Sequence, residues 1–221
     1  MRRFLPAFIA TLSLASAVSA PAEAEPFNGF FAGLLGGYEI NQARSTPFTM
    51  LPAGAITGPD QARHGGNGFA YGLFLGYDFR LTDRVFIGIE DDLSYSTAHF
   101  KHISLDGNGV PIEGEGAQVS MKHYNSLALR FGLKLSDDLG VYGRVGLATS
   151  KIRIRSLAAA SGYEYGYAEK FNYEVGAGLQ YTLTGKLFSR LEYIYADKET
   201  TDRFDYLSGS HRVMAGVGIG F

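Results

Sequence analysis

The sequence contains no cysteine and no tryptophan, and neither sign of charge dominates, with 20 Lys+Arg against 22 Asp+Glu in 221 residues. Without cysteine, no disulfide closes the fold and no thiolate serves as nucleophile or metal ligand. Without a strong positive field, a nucleic-acid partner is not expected. After residue 24 no run of 18 apolar residues occurs, which excludes a membrane-spanning helix. A β-barrel stays open, because its strands cross a membrane in about 10 residues of alternating character. The histidines His64, His99, His102, His123 and His211 show no metal-ligand spacing. No Gly-rich loop follows a strand to open a phosphate-binding helix, so no cofactor is expected.

Glycine and aromatics, by contrast, are abundant: 29 Gly, 16 Phe and 14 Tyr. Both suit an all-β chain with tight turns, and any interfacial aromatic girdle must be built from Tyr and Phe. At the N-terminus, Arg2 and Arg3 precede an apolar run from Phe4 to Val18 and then small residues, the pattern of a cleaved secretory signal. Cleavage after Ala20 or after Ala24 fits. The second is preferred, because Pro21 follows the first site directly. The expected organisation is therefore a signal peptide over 1–24 and one domain over 25–221. Removing Arg2, Arg3 and Glu23 from the 20 basic and 22 acidic residues leaves 18 and 21, so the mature chain stays near neutral.

The final segment sets the tone for the rest. Val213, Ala215, Val217, Ile219 and Phe221 are apolar at every second position, while Met214, Gly216, Gly218 and Gly220 fill the other parity. A soluble sandwich strand carries polar side chains on its second face. Glycine there fits a strand whose greasy face meets lipid and whose other face lines a crowded lumen. Period-two patterning predicts eight such strands, near 29–40, 68–80, 84–98, 119–135, 140–155, 168–183, 187–199 and 210–221. Short turns at 81–83, 136–139 and 184–186 alternate with long connections at 41–67, 99–118, 156–167 and 200–209. An even strand count lets the last strand pair with the first, so no backbone edge faces lipid. The expected fold is all-β: an eight-stranded antiparallel up-and-down transmembrane β-barrel with both termini at the short-turn, periplasmic end.

Parity also sorts the side chains. One face carries Leu73, Leu75, Leu127, Leu129, Val175 and Leu191, the other Glu90, Asp92, Arg130, Arg144, Glu174, Gln180, Arg190 and Glu192 among glycines. An eight-stranded barrel has an interior just wide enough for side chains. Isolated charges inside it are costly, so these are expected to pair into a plugged network with Glu90 and Arg190 at its centre. The plain role of this cluster is register and packing; a gated narrow pore with exchanging ion pairs is the alternative.

Several stretches carry a family resemblance. Gly76-Tyr77-Asp78-Phe79, a turn and Phe86-Ile87-Gly88-Ile89-Glu90 resemble strands two and three of small outer-membrane barrels such as the OmpA membrane domain. So do Leu133–Arg144 across the turn Ser136-Asp137-Asp138, and Gly178-Leu179-Gln180-Tyr181-Thr182-Leu183 with Arg190-Leu191-Glu192-Tyr193. Over essentially the whole mature chain, the sequence is similar to the outer-membrane β-barrel (porin-like surface antigen) family of Gram-negative bacteria. The resemblance implies an outer-membrane location, with outer-membrane lipid and lipopolysaccharide as surroundings. It also implies that Val217, Ile219 and Phe221 are read by the barrel-assembly machinery. Unlike the OmpA type, no peptidoglycan-binding domain is expected beyond the barrel, so the resemblance does not extend to a cell-wall tether.

The remaining features give narrower expectations. Asp91 beside Asp92 puts one carboxylate on the lipid side, about 15 Å from the periplasmic end, at about 1–3 kcal/mol. A β-bulge that turns it inward, or a contact with another barrel in an oligomer, accounts for it. Lys151, Arg153 and Arg155 share the outward parity beyond the apolar belt. They fit lipopolysaccharide phosphates or a solvated strand extension equally well. The long loops, with Pro47, Pro52 and Pro59 in the first, are where a host or surface ligand would bind. His102, Ser104 and Glu113 or Glu115 superficially match a hydrolase set but fall in an expected loop without rigid support, so no enzyme is expected. A structural or surface-interaction barrel is the leading functional reading. A passive porin for ions or very small solutes comes next, and a lipid A-modifying enzyme third.

Overall fold

Alternation of bulky apolar residues with small or charged ones marks the strands over most of the wall. The computed structural model describes residues 26–44, 63–105, 111–156, 164–198 and 209–221. The strands are β1 (Gly29–Arg44), β2 (Arg63–Arg80), β3 (Val85–Ser96), β4 (His99–Leu105), β5 (Pro111–Lys134), β6 (Leu139–Ser156), β7 (Glu164–Thr184), β8 (Leu187–Lys198) and β9 (Gly209–Gly220). No helix among the described residues is long and apolar enough to cross a membrane. The expected signal segment 1–24 lies outside the described residues, as do 45–62, 106–110, 157–163 and 199–208.

The sheet closes on itself. β1 pairs antiparallel with β2 from Gly29↔Asp78 to Arg44↔Arg63 and with β9 from Phe31↔Gly220 to Gln42↔Gly209. Phe221 N donates to Phe30 O at 2.8 Å, so the ladder runs to the last residue. β3 and β4 are two pieces of one wall strand, giving eight walls from nine segments. Between them Thr97 N donates to Phe69 O (2.8 Å), and Ser96 Oγ accepts from Ala98 N (3.1 Å). This kink brings the Ala98 backbone so close to β2 that only a residue without Cβ fits at Gly68.

The short turns are held by hydroxyls, as turn chemistry leads one to expect. Thr82 Oγ1 accepts from Val85 N at 3.0 Å, and Ser136 Oγ accepts from Leu139 N at 3.1 Å. Gly185 occupies the left-handed region (φ +47°) between β7 and β8.

The opposite end departs from the expected boundaries. The connection expected over 99–118 is mostly strand: His102 and Ser104 lie on β4, Glu113 and Glu115 on β5. β1, β2, β6 and β7 likewise overrun their expected outer limits. About 9–11 residues suffice to cross the hydrocarbon, whereas β5 has 24. Backbone pairing carries the wall beyond the membrane, where no lipid imposes the apolar alternation that marks a strand in sequence.

Inward and outward parity separate the buried from the exposed side chains along the described wall. Leu34, Leu73, Leu75, Leu127, Leu129, Leu147, Val175, Leu191 and Val217 point outward and are exposed. Exposed aromatics flank them at both ends. Phe30 packs edge-on to half-buried Tyr77 (4.6 Å) near the short-turn end, and Tyr38 with Phe69 (5.7 Å) and Tyr71 with Tyr95 (6.1 Å) stand near the other. An apolar band between two aromatic girdles is the surface of a transmembrane barrel.

Inside, large side chains stand opposite small ones. Glu90 faces Gly76 and Ala128, Arg130 faces Gly88, Arg144 faces Gly176, Glu174 faces Gly146, Glu192 faces Gly178 and Arg190 faces Gly216. Phe31, Phe74, Phe86 and Phe188 lie across Gly76, Gly33, Gly132 and Gly218, where any Cβ would overlap the ring. These pairings pack the described inward side chains closely against one another.

Candidate functional site: the charged lumen

Six wall strands, β2, β3 and β5 to β8, contribute ion-pairing or hydrogen-bonding side chains to one buried network. Glu90 of β3 is its hub and is fully buried. Its Oε2 receives Arg190 Nη1 at 2.6 Å and Arg130 Nη1 at 3.1 Å, and its Oε1 receives Arg144 Nη1 at 3.0 Å. Arg130 and Arg144 are direct cross-strand partners on β5 and β6, an arrangement that is destabilising for like charges unless an anion lies between them. Glu90 supplies that anion.

The other carboxylates surround this hub. Asp92 Oδ2 lies 2.6 Å from Arg144 Nη2, and its Oδ1 lies 3.5 Å from Arg190 Nη2. Glu174 of β7 accepts from Arg144 Nη2 at 2.7 Å and Nε at 3.2 Å, and also from the Tyr124 hydroxyl. Glu192 of β8 accepts from the Tyr142 hydroxyl at 2.6 Å and lies 3.2 Å from Arg190 Nη2. Gln180 Oε1 accepts from Arg130 Nη2 at 3.1 Å, and Asp78 lies 3.6 Å from Arg130 Nη1.

Aromatic faces complete the shell. The Arg190 guanidinium sits 3.5 Å from the Phe74 ring centroid, and that of Arg130 sits 4.2 Å from Tyr142 and 4.8 Å from Phe31. Guanidinium planes suit this double duty, binding carboxylates at their edges and rings on their faces.

Two further layers bracket the network. At the short-turn end, Phe27 turns back into the mouth ahead of β1 with a positive φ of 61°, stacked on Phe86 at 5.0 Å and clustered with Tyr142. Arg80 fastens this turn through Pro26 O (3.3 Å) and Asn28 Oδ1 (3.4 Å). A gap of about 30 Å³ remains there, lined by Phe27, Asp78, Gln180 and Lys186 among others, roughly one water's room. On the outer side, Arg212 of β9 donates to Ser94 Oγ at 2.7 Å and lies 4.3 Å from the Tyr124 ring, level with Glu39 across the β1–β9 pairing.

All eight candidate lumen residues therefore meet in one cluster. Phe27, Tyr124, Tyr142 and Arg212 are the functional side chains that the sequence reading did not single out. Lys151, Arg153 and Arg155 stand in register on β6, opposite His123, Ser120 and Gln118 of β5. Lys151 and Arg153 are half-buried on the outward parity. Val217 and Ile219 of β9 and the terminal Phe221 are exposed on the outer wall. Among the described residues, no group of three or more His, Asp or Glu is placed to hold a metal ion.

Comparison with known proteins bears on the whole molecule. A family model, the outer membrane protein beta-barrel domain, matches residues 8–221. The chain is similar to the 22 kDa outer membrane protein of Rhizobium leguminosarum bv. viciae, with 28% identity over 161 residues, covering 70% of this chain and 67% of that protein. It is also similar to the 31 kDa outer-membrane immunogenic protein of Brucella melitensis biotype 1, with 25% identity over 185 residues, covering 81% and 74%. Among solved structures, Neisserial surface protein A shares 14% identity at a TM-score of 0.49, covering 88% of this chain and 98% of that one.

Proposed function

The chain belongs to the outer membrane protein beta-barrel domain family and resides in the outer membrane of a Gram-negative bacterium, and we propose that it works there as a closed structural barrel that displays its loops at the cell surface. What supports this reading is the close packing of the described inward side chains. The Phe27–Phe86–Tyr142 layer and the Glu90-centred network occupy successive levels of the same cylinder. A solute crossing would have to break buried ion pairs, which is strongly unfavourable once a charge is left alone.

The surface role falls to the connections between the outer ends of the strands, where loops on a rigid wall carry recognition. That a Brucella relative is named an immunogenic protein supports this assignment. Lys151, Arg153 and Arg155 are assigned to lipopolysaccharide phosphates at the outer boundary, and Val217, Ile219 and Phe221 to recognition by the assembly machinery. No catalytic step is part of the proposal.

A narrow porin is the second reading, favoured by one observation. Three guanidiniums share the two oxygens of Glu90, so partners can exchange without a new charge being created. Planar-bilayer recording separates the two. The closed reading expects no steady conductance steps from the purified protein, and none from Arg190→Ala. Steady steps in the unmodified protein would establish the porin instead.

A further inference from the structure

We propose that the outer face of β3 and β5 is the contact surface of a two-fold dimer, in which Asp91 of each copy is hydrogen-bonded by Asn125 of the other. Asp91 is exposed on the outer wall, between Ile89 and Leu93, which are exposed as well. Its pairing is regular on both sides, with Leu75 and Leu127, so no bulge turns it inward. Tyr95, stacked on Tyr71, stands two outward positions further toward the cell exterior. Asp91 therefore lies on the hydrocarbon side of the outer girdle.

It is not alone there. Asn125 stands diagonally across the β3–β5 pairing from Asp91, opposite Leu93 and on the same outward face. Thr149 of β6 is the direct cross-strand partner of Asn125. These three form a polar island in a field of leucines.

Contacts within one chain cannot exhaust the polar groups of the island. A carboxylate has about four acceptor sites and a primary amide two donors, and the hydrocarbon holds no water to occupy the remainder. A second copy turned by 180° about the membrane normal presents the same island at the same depth. A two-fold contact is self-complementary, so residue i of one copy meets j of the other and the reverse. Here i is an acceptor and j a donor, and the surrounding Leu73, Leu75, Leu93 and Leu127 pack around them. Polar groups of this kind hold membrane segments together through hydrogen bonds.

The absence of cysteine makes the test clean, because each introduced thiol is unique. In intact outer membranes, Leu127→Cys at the island is expected to give a dimer with a short bis-maleimide. Leu191→Cys, exposed on β8 across the barrel, is expected to give none. Adding Asp91→Leu to Leu127→Cys should lower the dimer yield by at least about tenfold, the equivalent of about 1.4 kcal/mol. Asp91→Asn, which keeps an acceptor and adds donors, should retain it. Heat-modifiable gel migration confirms that each variant forms the barrel. If Asp91→Leu does not fold, the comparison of Leu127→Cys with Leu191→Cys decides alone. No dimer at Leu127→Cys, crosslinking only to a different protein, an equal yield at Leu191→Cys, or an undiminished yield with Asp91→Leu would each overturn the proposal.

Discussion

Replacing Glu90 by Gln is expected to lower the unfolding free energy by about 3–5 kcal/mol, the range for removing one partner from a buried ion pair. Gln keeps the shape, so the effect is electrostatic rather than one of volume. Arg130, Arg144 and Arg190 would lose their common anion, and the new amide would turn donors toward guanidiniums 2.6–3.1 Å away. Asp92, Glu174 and Glu192 remain close to Arg144 and Arg190, but Arg130 keeps only Gln180 at 3.1 Å and Asp78 at 3.6 Å. Urea titration of the folded barrel in detergent, read by heat-modifiable migration, measures the change. A loss below about 1 kcal/mol would remove Glu90 from the centre of the network, since most substitutions away from such features stay within about 0.5 kcal/mol.

The second large effect lies on the outer wall. Leu129→Arg should destabilise the barrel by about 2–4 kcal/mol, as charged residues do near the middle of the lipid-facing surface. Leu129 is exposed and sits between Phe131 and Leu127 on β5. Were the same barrel water-soluble, the substitution would place a cation in solvent at almost no cost. Refolding into lipid vesicles across a urea series checks it, and an unchanged midpoint would contradict a lipid-facing position.

How much of this is legible without coordinates depends on which force writes the pattern. Lipid on one side and a narrow lumen on the other impose strict period two. Leu127, Leu129 and Phe131 against Ala128, Arg130 and Gly132 therefore declare both the strand and its faces. Closure follows from the even count, and the short turns from Thr82, Ser136 and Gly185. Beyond the membrane that constraint vanishes, and the sequence at 99–118 looks like loop although β4 and β5 run through much of it.

The lumen is legible by parity only up to a point. Glu90, Arg144 and Arg190 share the inner face, yet which carboxylate serves which guanidinium depends on strand stagger that no single strand encodes. Tyr124 and Tyr142 carry the same inward parity as Arg130 and Arg144, so that signal was present for both hydroxyls. Phe27 carries none, because it precedes the first strand and owes its place to the turn that Arg80 fastens through Pro26 and Asn28.

The central claim, that leucines meet lipid while the ions lie within, is tested most directly by single thiols at adjacent positions of β5. Leu129→Cys and Ala128→Cys, each spin-labelled in the barrel reconstituted into bilayers, differ only in the side of the wall they occupy. The account predicts strong relaxation by oxygen dissolved in the hydrocarbon at position 129 and protection at position 128. Protection at 129 with access at 128 would mean the wall is inside out, and the account would be wrong.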